Sequence, residues 1–385
     1  MKKIAIIQNV TINDHRFIHT HGIALELLQR GYQIDVIAQK SEEKPQFNNF
    51  DYNLITLKGQ TYSIYGQIIF ILNCLKTLKK QKYDLLHTKN PFSSLVPALV
   101  YQHFINKNCK VIYDIRGLWI DFAIYSKRLP KFLFYLLNWI EVYLSNKAHK
   151  LIAISEELKK ILVKRGIDEK KIKVIVGDGV NYEEIMSLKK LDIKEKLKIK
   201  GKVICYLGSI SRSRCSEKII EAFEFVKDKI KNVNLVFIGP IDKREKPFFN
   251  DFVKNKDFNS RVFFMGFIPH ERALKYLKSC DILIAYHERD LPIYNVMVPT
   301  KILEYLVIGI PIVATDHKAY KNLLSHKKTA FLTGQNPQSF AEGIIEVLRS
   351  PELQENLKKN ALKEGTKYSF TRIVDQIEAV YKSIL

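Results

Sequence analysis

Two stretches in the second half of the sequence carry residue types suited to holding a pyrophosphate. In VPTKILEYLVIGIPIVATD, residues 298–316, Pro299 suits the opening turn of a helix. The free N–H groups of Thr300, Lys301 and Ile302 would then point out of the helix start, where anions are favoured, and Lys301 adds a full positive charge. Glu304 lies one turn on, on the face of Lys301, where a carboxylate can accept hydrogen bonds from ribose hydroxyls without meeting the phosphates. In YLGSISRSRCSEKIIEAF, residues 206–223, a strand ends at Leu207 and Gly208 lets the backbone turn tightly. A polar loop with Ser209, Arg212 and Arg214 follows, and guanidinium forks take phosphate oxygens in bidentate pairs. The Gly-x-x-x-x-Gly-Lys spacing of a P-loop is absent. Each stretch alone is also compatible with a surface Lys–Glu pair or with exposed loop arginines. Their shared position, at strand-to-helix junctions on one edge of one sheet, favours the joint reading.

The first half offers a different set. YDIRGLW (113–119) follows a strand and would project Asp114 and Arg116 from its end. HTKNP (87–91) ends the preceding strand, and NDHRFIHTHG (13–22) places Asp14, Arg16, His19 and His21 in the first strand-to-helix loop. His15, His19 and His21 suggest a metal, but no His-Glu-x-x-His pattern supplies a ligand set. No Asp-x-Asp occurs anywhere, so a metal-bridged diphosphate has no evident ligands. The expectation is chemistry without metal or cofactor, with positive side chains and a helix dipole neutralising the leaving group.

The elements that must position these residues are legible as alternation. Short β-branched runs at Ile4, Gln33, Leu85, Val111, Leu151 and Lys173 are separated by segments with helical spacing of apolar residues. The pattern restarts at Val203 and continues at Leu235, Val262, Ile282 and Ile310. Strand and helix in alternation predict parallel sheets flanked by helices, and the restart predicts two such units. The junction is expected in the Lys/Glu-rich stretch that starts near residue 183.

The chain has 385 residues, more than one ordinary core accommodates. Its five cysteines are scattered without a Cys-x-x-Cys pair, which indicates neither a zinc site nor a disulfide framework and fits a reducing cytoplasm. The opening Met-Lys-Lys and short apolar run end at Gln8, too soon for a signal peptide, and no stretch is apolar enough to predict a membrane-spanning helix. The formal net charge of +22 suits nucleic acid, an anionic membrane surface or phosphorylated small molecules. No helix-turn-helix, zinc-finger or RNA-binding signature supports a nucleic-acid partner. The segment 126–150 sets Phe, Leu, Tyr and Trp between basic flanks, as an interfacial helix does; a core helix over the first sheet is the other reading.

Taken together, the sequence resembles glycosyltransferase family 4, the retaining family with the GT-B fold, over nearly its whole length. DHRFIHTHGIALELLQRGYQIDVIA, LIAISEELKKIL and IVGDGVN look like that family's first domain. FMGFIPHERALKYLKSCDILIA and PTKILEYLVIGIPIVATD look like its donor-domain core and are the most specific. The resemblance implies an α/β protein of two doubly wound Rossmann-like domains facing a cleft. Residues 1–185 would bind the acceptor and 186–369 the nucleotide-sugar donor, with the last helix, in 370–385, crossing back to the first domain. It also implies roles: Gly208 and Ser209 approaching the phosphates, Arg214, Thr300 and Lys301 holding them, Ile268 meeting the base, Glu304 the ribose, and Arg116 the donor sugar or acceptor. Two departures stand out. The first Glu of the family's Glu-x7-Glu pattern is Val296 here, which turns attention to Asn295, and an expected arginine is Ser209, which adds weight to Arg212 and Arg214.

The expected activity is transfer of a sugar, with retention, from a UDP- or GDP-sugar to a hydroxyl of a cell-envelope glycan or lipid-linked acceptor in polysaccharide biosynthesis. The expected place is the cytoplasm, peripheral on the inner face of the cell membrane. The alternative is a non-catalytic nucleotide-sugar binding partner of another glycosyltransferase, a reading that Val296 permits.

Overall fold

The computed structural model describes residues 1–14, 16–42, 50–61, 63–255, 258, 260–288 and 290–385. The chain divides into two compact units, Met1–Gly179 with Phe370–Leu385, and Val180–Ser369. The junction falls at Gly179/Val180 rather than at 185/186. Val180 bridges to Ser369, and the short helix that follows it packs within the second unit, so the Lys/Glu-rich stretch already belongs there.

The first unit runs β1 (Lys3–Thr11), α1 (Phe17–Gln29), β2 (Gln33–Gln39), β3 (Asn53–Leu57), α2 (Ile64–Leu78), β4 (Leu85–Thr88), α3 (Leu95–Phe104) and β5 (Lys110–Ile115). It continues with α4 (Trp119–Tyr125), α5 (Leu133–Lys147), β6 (Lys150–Ala153), α6 (Glu156–Lys164) and β7 (Ile172–Val174). The strands form one parallel sheet in the order β3-β2-β1-β4-β5-β6-β7. In β1 the residues from Ile4 to Val10 are all buried, as a central strand covered on both faces requires. Parallel pairing needs crossover helices, and the sequence supplies them with ordinary caps: Ser63 accepts from the Gly66 N–H and Ser155 from the Leu158 N–H.

The second unit runs α7 (Tyr182–Ser187), α8 (Ile193–Leu197), β8 (Lys202–Leu207), α9 (Ser216–Lys229), β9 (Val233–Ile238), α10 (Lys246–Asn255), β10 (Val262–Phe264) and α11 (His270–Leu277). Then come β11 (Ile282–Ala285), α12 (Pro292–Asn295), α13 (Thr300–Ile308), β12 (Ile312–Thr315), α14 (Lys318–Lys321), β13 (Phe331–Thr333), α15 (Pro337–Arg349) and α16 (Pro351–Gly365). Its parallel sheet has the order β10-β9-β8-β11-β12-β13. The last helix, α17 (Phe370–Lys382), belongs to the first unit, where Ile373, Val374, Ile377 and Tyr381 join the core beneath α1.

In each sheet the strand order reverses beside the first strand of the unit, at β1/β4 and at β8/β11. Open parallel sheets bind ligands beyond the carboxyl ends of the strands at such reversals. Both clusters of candidate residues lie there.

Candidate active site

In the second unit the site is built on the end of β8. Gly208 has φ +139° and the neighbouring Gly239, at the end of β9, has φ +145°. A Cβ on Gly239 would lie 2.1 Å from the Gly208 carbonyl oxygen, so the two chain ends approach as closely as only glycine allows. Tyr206 is buried below them, and its hydroxyl donates to the Ser209 carbonyl at 3.3 Å. Beyond Ile210 a short turn, residues 212–214, lifts Arg214 to the surface, with Cys215 in the left-handed region at φ 57° as the chain enters α9.

Helix α13 starts with Pro299 as its cap residue in extended conformation and Thr300 as its first residue. Tyr305 fixes the helix to the sheet: its hydroxyl accepts from the Leu207 N–H at 2.9 Å and reaches the Ile284 carbonyl at 3.4 Å. One helix residue thereby touches the ends of both reversal strands. Lys301, half-buried, places its ammonium over the Tyr206 ring, 4.0 Å from the centroid. Burial and the neighbouring Arg214 charge lower Lys301 to about 7. Among the described residues no carboxylate is paired with Lys301 or Arg214. Two like charges held together without a counter-ion are unfavourable alone and become favourable when an anion arrives.

Glu304 is buried and does not pair with Lys301; it accepts a hydrogen bond from His270 Nε2 at 2.6 Å. Desolvation works against the charged His270 ring, but the Glu304 carboxylate outweighs it and raises the imidazole above its usual value. Ile268 lies half-buried between Gly266, with φ 70°, and the start of α11. The Gly266 carbonyl accepts from the Gly239 N–H at 2.9 Å, which ties that loop to the Gly208 turn.

The other arginine of the loop goes elsewhere. The Arg212 N–H donates to Glu245 at 2.7 Å, and its guanidinium lies over Phe248, 5.1 Å from the ring centroid. Glu245 and α10 draw it away from the task expected for it beside Arg214. Val296 is fully buried, so the position that lacks a carboxylate is a core position here. The nearby acid is Asp290: Asn295 Nδ2 donates to it at 2.5 Å and Lys318 pairs with it at 3.3 Å. Those two hydrogen bonds hold the Asp290 carboxyl below its ordinary value.

In the first unit Asp114, completely buried, is the centre. It meets Arg116 Nε at 2.8 Å, Lys89 at 3.4 Å and His87 Nε2 at 3.1 Å. Burial alone would raise its carboxyl, yet Arg116 and Lys89 hold it well below the carboxylate range. Burial lowers His87 against the pull of Asp114, and the ring meets the Asp114 carboxylate through Nε2 and the Tyr381 hydroxyl on α17 through Nδ1, 2.6 Å away. Arg116 also donates to the Gly177 carbonyl at 2.9 Å. Burial, then Arg116 and Lys89, lower His19 to about 4 and keep it uncharged. His19 Nδ1 bonds the Asp178 carbonyl, and its Nε2 has no hydrogen-bond partner among the described residues. Burial lowers Lys89 to about 8 against the pull of Asp114.

His21 was the histidine expected at the site, but on α1 it points to a different neighbourhood. Its Nδ1 meets the Tyr52 hydroxyl at 2.7 Å, and its ring packs on Phe50 and Tyr52. His19, two residues earlier and so on the opposite helix face, joins Asp114 instead. His15 lies outside the described residues. Among the described residues no group of three or more His, Cys, Asp or Glu side chains is placed to hold a metal ion.

The two doubly wound parallel sheets have the GT-B architecture of glycosyltransferases. Residues 18–177 match the family described as Glycosyltransferase Family 4, and residues 188–364 that described as Glycosyl transferases group 1. The chain belongs to glycosyltransferase family 4. It is 23% identical over 375 residues to the capsular polysaccharide biosynthesis glycosyltransferase CapM of Staphylococcus aureus, covering 93% of this chain and 92% of that protein. It is 24% identical over 323 residues to the UDP-Gal:alpha-D-GlcNAc-diphosphoundecaprenol alpha-1,3-galactosyltransferase of Escherichia coli, covering 81% and 78%. Among solved structures, Anabaena HepE in complex with UDP superimposes with a TM-score of 0.77 at 17% identity, covering 100% of both chains.

Proposed function

We propose that this glycosyltransferase moves a sugar, with retention of configuration, from a nucleoside-diphosphate sugar to a hydroxyl of a lipid-linked or other cell-envelope glycan. The observation that carries the reading is a pair of cations, Lys301 over the Tyr206 ring at the start of α13 and Arg214 near enough for its charge to act on Lys301, with no carboxylate partner among the described residues. As the donor's sugar–oxygen bond breaks, charge grows on the β-phosphate. Arg214, Lys301 and the N–H groups at Thr300 and Lys301 stabilise that charge in place, so no metal ion is needed. Gly208 and Ser209 bring backbone close to the phosphates, Ile268 meets the base, and Glu304, steadied by His270, accepts from the ribose. In place of the carboxylate absent at Val296, Asp290 with Asn295 grips the sugar hydroxyls. The acceptor hydroxyl attacks the face that the diphosphate leaves, and a leaving-group oxygen takes its proton. In the first unit Asp114 holds Arg116 and His19 in place for the acceptor.

Support for the nucleotide comes from the UDP complex of HepE, and for the acceptor from the diphosphoundecaprenol-linked substrate in the E. coli relative's name. The CapM likeness supports a role in polysaccharide assembly; on this reading the enzyme works in the cytoplasm at the inner membrane face, where a lipid-linked acceptor is met. A turnover assay over UDP- and GDP-sugars with undecaprenyl-diphosphate glycans, in EDTA, tests the whole. Retained configuration in the product's anomeric NMR signal is the expected result. An inverted product, or turnover abolished by EDTA and restored by magnesium, overturns the corresponding part.

A further inference from the structure

Helix α5 is inside out. Its buried residues are Glu141 and Ser145, while Tyr135 is 81% and Trp139 65% exposed. Glu141 accepts from the Tyr113 hydroxyl of β5 at 3.0 Å, which fixes the polar stripe inward and therefore the aromatic stripe outward. An amphipathic helix in a water-soluble face has the opposite arrangement. Helix α2 buries Phe70, Cys74 and Leu78 in the ordinary way, yet also exposes Ile64, Tyr65, Ile68 and Leu72. Both α2 and α5 pack against α3, so the two stripes belong to one side of the first unit's sheet. Further exposed apolar side chains lie on neighbouring segments, Phe104 and Ile105 where α3 ends and Phe122, Tyr125 and Phe132 from α4 to the start of α5, whereas Met186, Phe225 and Phe267 of the second unit are scattered singly. Two exposed apolar stripes on one side of a sheet mark a docking surface.

Charge identifies the occupant. Between Asp51 and Glu156 the only acidic residues are Asp84, Asp114, Asp121 and Glu141. Asp114 and Glu141 are buried, Asp121 is paired with Arg165 at 2.7 Å, and Asp84 is tied to Lys2 and the backbone of Lys3 at the opening of the sheet. Along α2, α5 and the turn before α5 the exposed charges are cations: Lys76, Lys79 and Lys80 at the end of α2, Lys127 and Lys131 ahead of α5, and Lys147 at its end, over the Tyr143 ring; the exposed acids Asp168 and Glu169 adjoin the last turn of α5, where Asn146 accepts from the Asp168 N–H. Tyr and Trp with apolar bodies and polar tips, ringed by lysine, match the headgroup layer of a bilayer. A protein partner with a mixed-charge rim would call for acids as well. No helix among the described residues is long and apolar enough to cross a membrane.

We infer that the α2–α3–α5 face of the first unit lies on an anionic bilayer, with the Trp139 and Tyr135 rings at headgroup depth and the lysine rim on the lipid phosphates. This deepens the proposed function by assigning the surface that meets the membrane where a lipid-linked acceptor resides. The test is made without donor or acceptor. The full chain is sedimented with phosphatidylglycerol-containing vesicles and with phosphatidylcholine vesicles, at low and high salt. Binding to the anionic vesicles alone, weakened by salt, is expected. The double variant Tyr135→Ser/Trp139→Ser should bind roughly tenfold more weakly. Lys127→Glu/Lys131→Glu should lose about fivefold or more per changed residue.

In a Trp119→Phe background Trp139 is the one remaining tryptophan, and brominated phosphatidylglycerol should quench it. Equal binding to neutral vesicles, no quenching, or a stable dimer that Trp139→Ser dissociates would each overturn the inference, the last by giving the face to a second copy of the chain. UDP and GDP thermal shifts on the same preparations confirm that each variant is folded. They also read the donor site separately, so failure on vesicles is distinct from failure of the nucleotide assignment.

Discussion

Lys301 shows how a single residue can be kept unfavourable until its ligand arrives. Its ammonium is lowered to about 7 from an ordinary 10.5, so between those values the unfolded chain binds a proton that the folded chain does not. That interaction disfavours the free protein at neutral pH and fades as pH rises toward 10.5. Lys301→Met should therefore raise the melting temperature of the ligand-free protein at pH 7.5 while weakening UDP or GDP binding. A bound diphosphate pulls the proton back, so wild-type affinity should fall with pH above 7, by up to about tenfold per unit. Titration calorimetry from pH 7.5 to 9 checks this; Lys301→Arg should keep affinity and lose the slope. Glu304→Ala should cost roughly tenfold or more in nucleotide affinity. Asp290→Ala should raise the KM for the donor sugar by a similar factor and leave free-nucleotide affinity unchanged; an equal loss in both would move Asp290 out of the sugar site.

At this scale Arg214, Lys301, Glu304, Asp114 and Arg116 were legible because each sits beside a strand end or helix start visible in the local pattern. Tyr206, Tyr305, His270 and Lys89 were not. Their parts depend on chain segments far apart in sequence: Tyr305 on Leu207, His270 on Glu304, Lys89 on Asp114. Arg212 and His21 had the right type and spacing, but Glu245 and Tyr52, invisible locally, hold them elsewhere.

Among the elements, α17 shows how the last residues of the chain become part of the first unit. Phe370 opens the helix between two glycines: a Cβ on Gly22 would come within 2.3 Å of its ring, and one on Gly179 within 2.6 Å. Arg30 then pairs with Asp375 and Glu378, both at 2.9 Å. A hydrogen bond from Lys382, acting against partial desolvation and joined by Arg30 and Tyr32, lowers the Glu378 carboxyl to about 2. That stabilisation is present above the ordinary carboxyl value and is lost as pH falls toward 2. Gly22→Ala must displace the ring and should destabilise the protein by about 1–3 kcal/mol. Phe370→Leu combined with Gly22→Ala should recover part of that loss in denaturant unfolding; strict additivity would mean that the ring is not what the methyl meets. The eleven strands expected from β-branched runs are all present, including the three-residue edge strands β7 and β10. The two that were missed, β3 and β13, lie at sheet edges: β3 has no fully buried residue and β13 only three residues, so tertiary pairing and not composition makes the strand.

On the scale of the molecule, each unit has its own sheet and its own core, and the residues proposed to hold the phosphates all lie on one of them. A nucleotide should therefore act unevenly on the chain. At about 100 times its dissociation constant the right nucleoside diphosphate adds roughly 2.7 kcal/mol to the state that binds it. Amide exchange in saturating UDP or GDP should slow at the turn after β8, at the loop from Gly266 to His270 and in the first turn of α13. These three segments converge through the Gly208, Gly239 and Tyr305 hydrogen bonds. The stripes on α2 and α5 should be unaffected by nucleotide and slowed by anionic vesicles. Protection spread evenly over both units, or centred on Asp114 with β8 unchanged, would place the nucleotide on the wrong half of the chain for the chemistry assigned to Arg214 and Lys301.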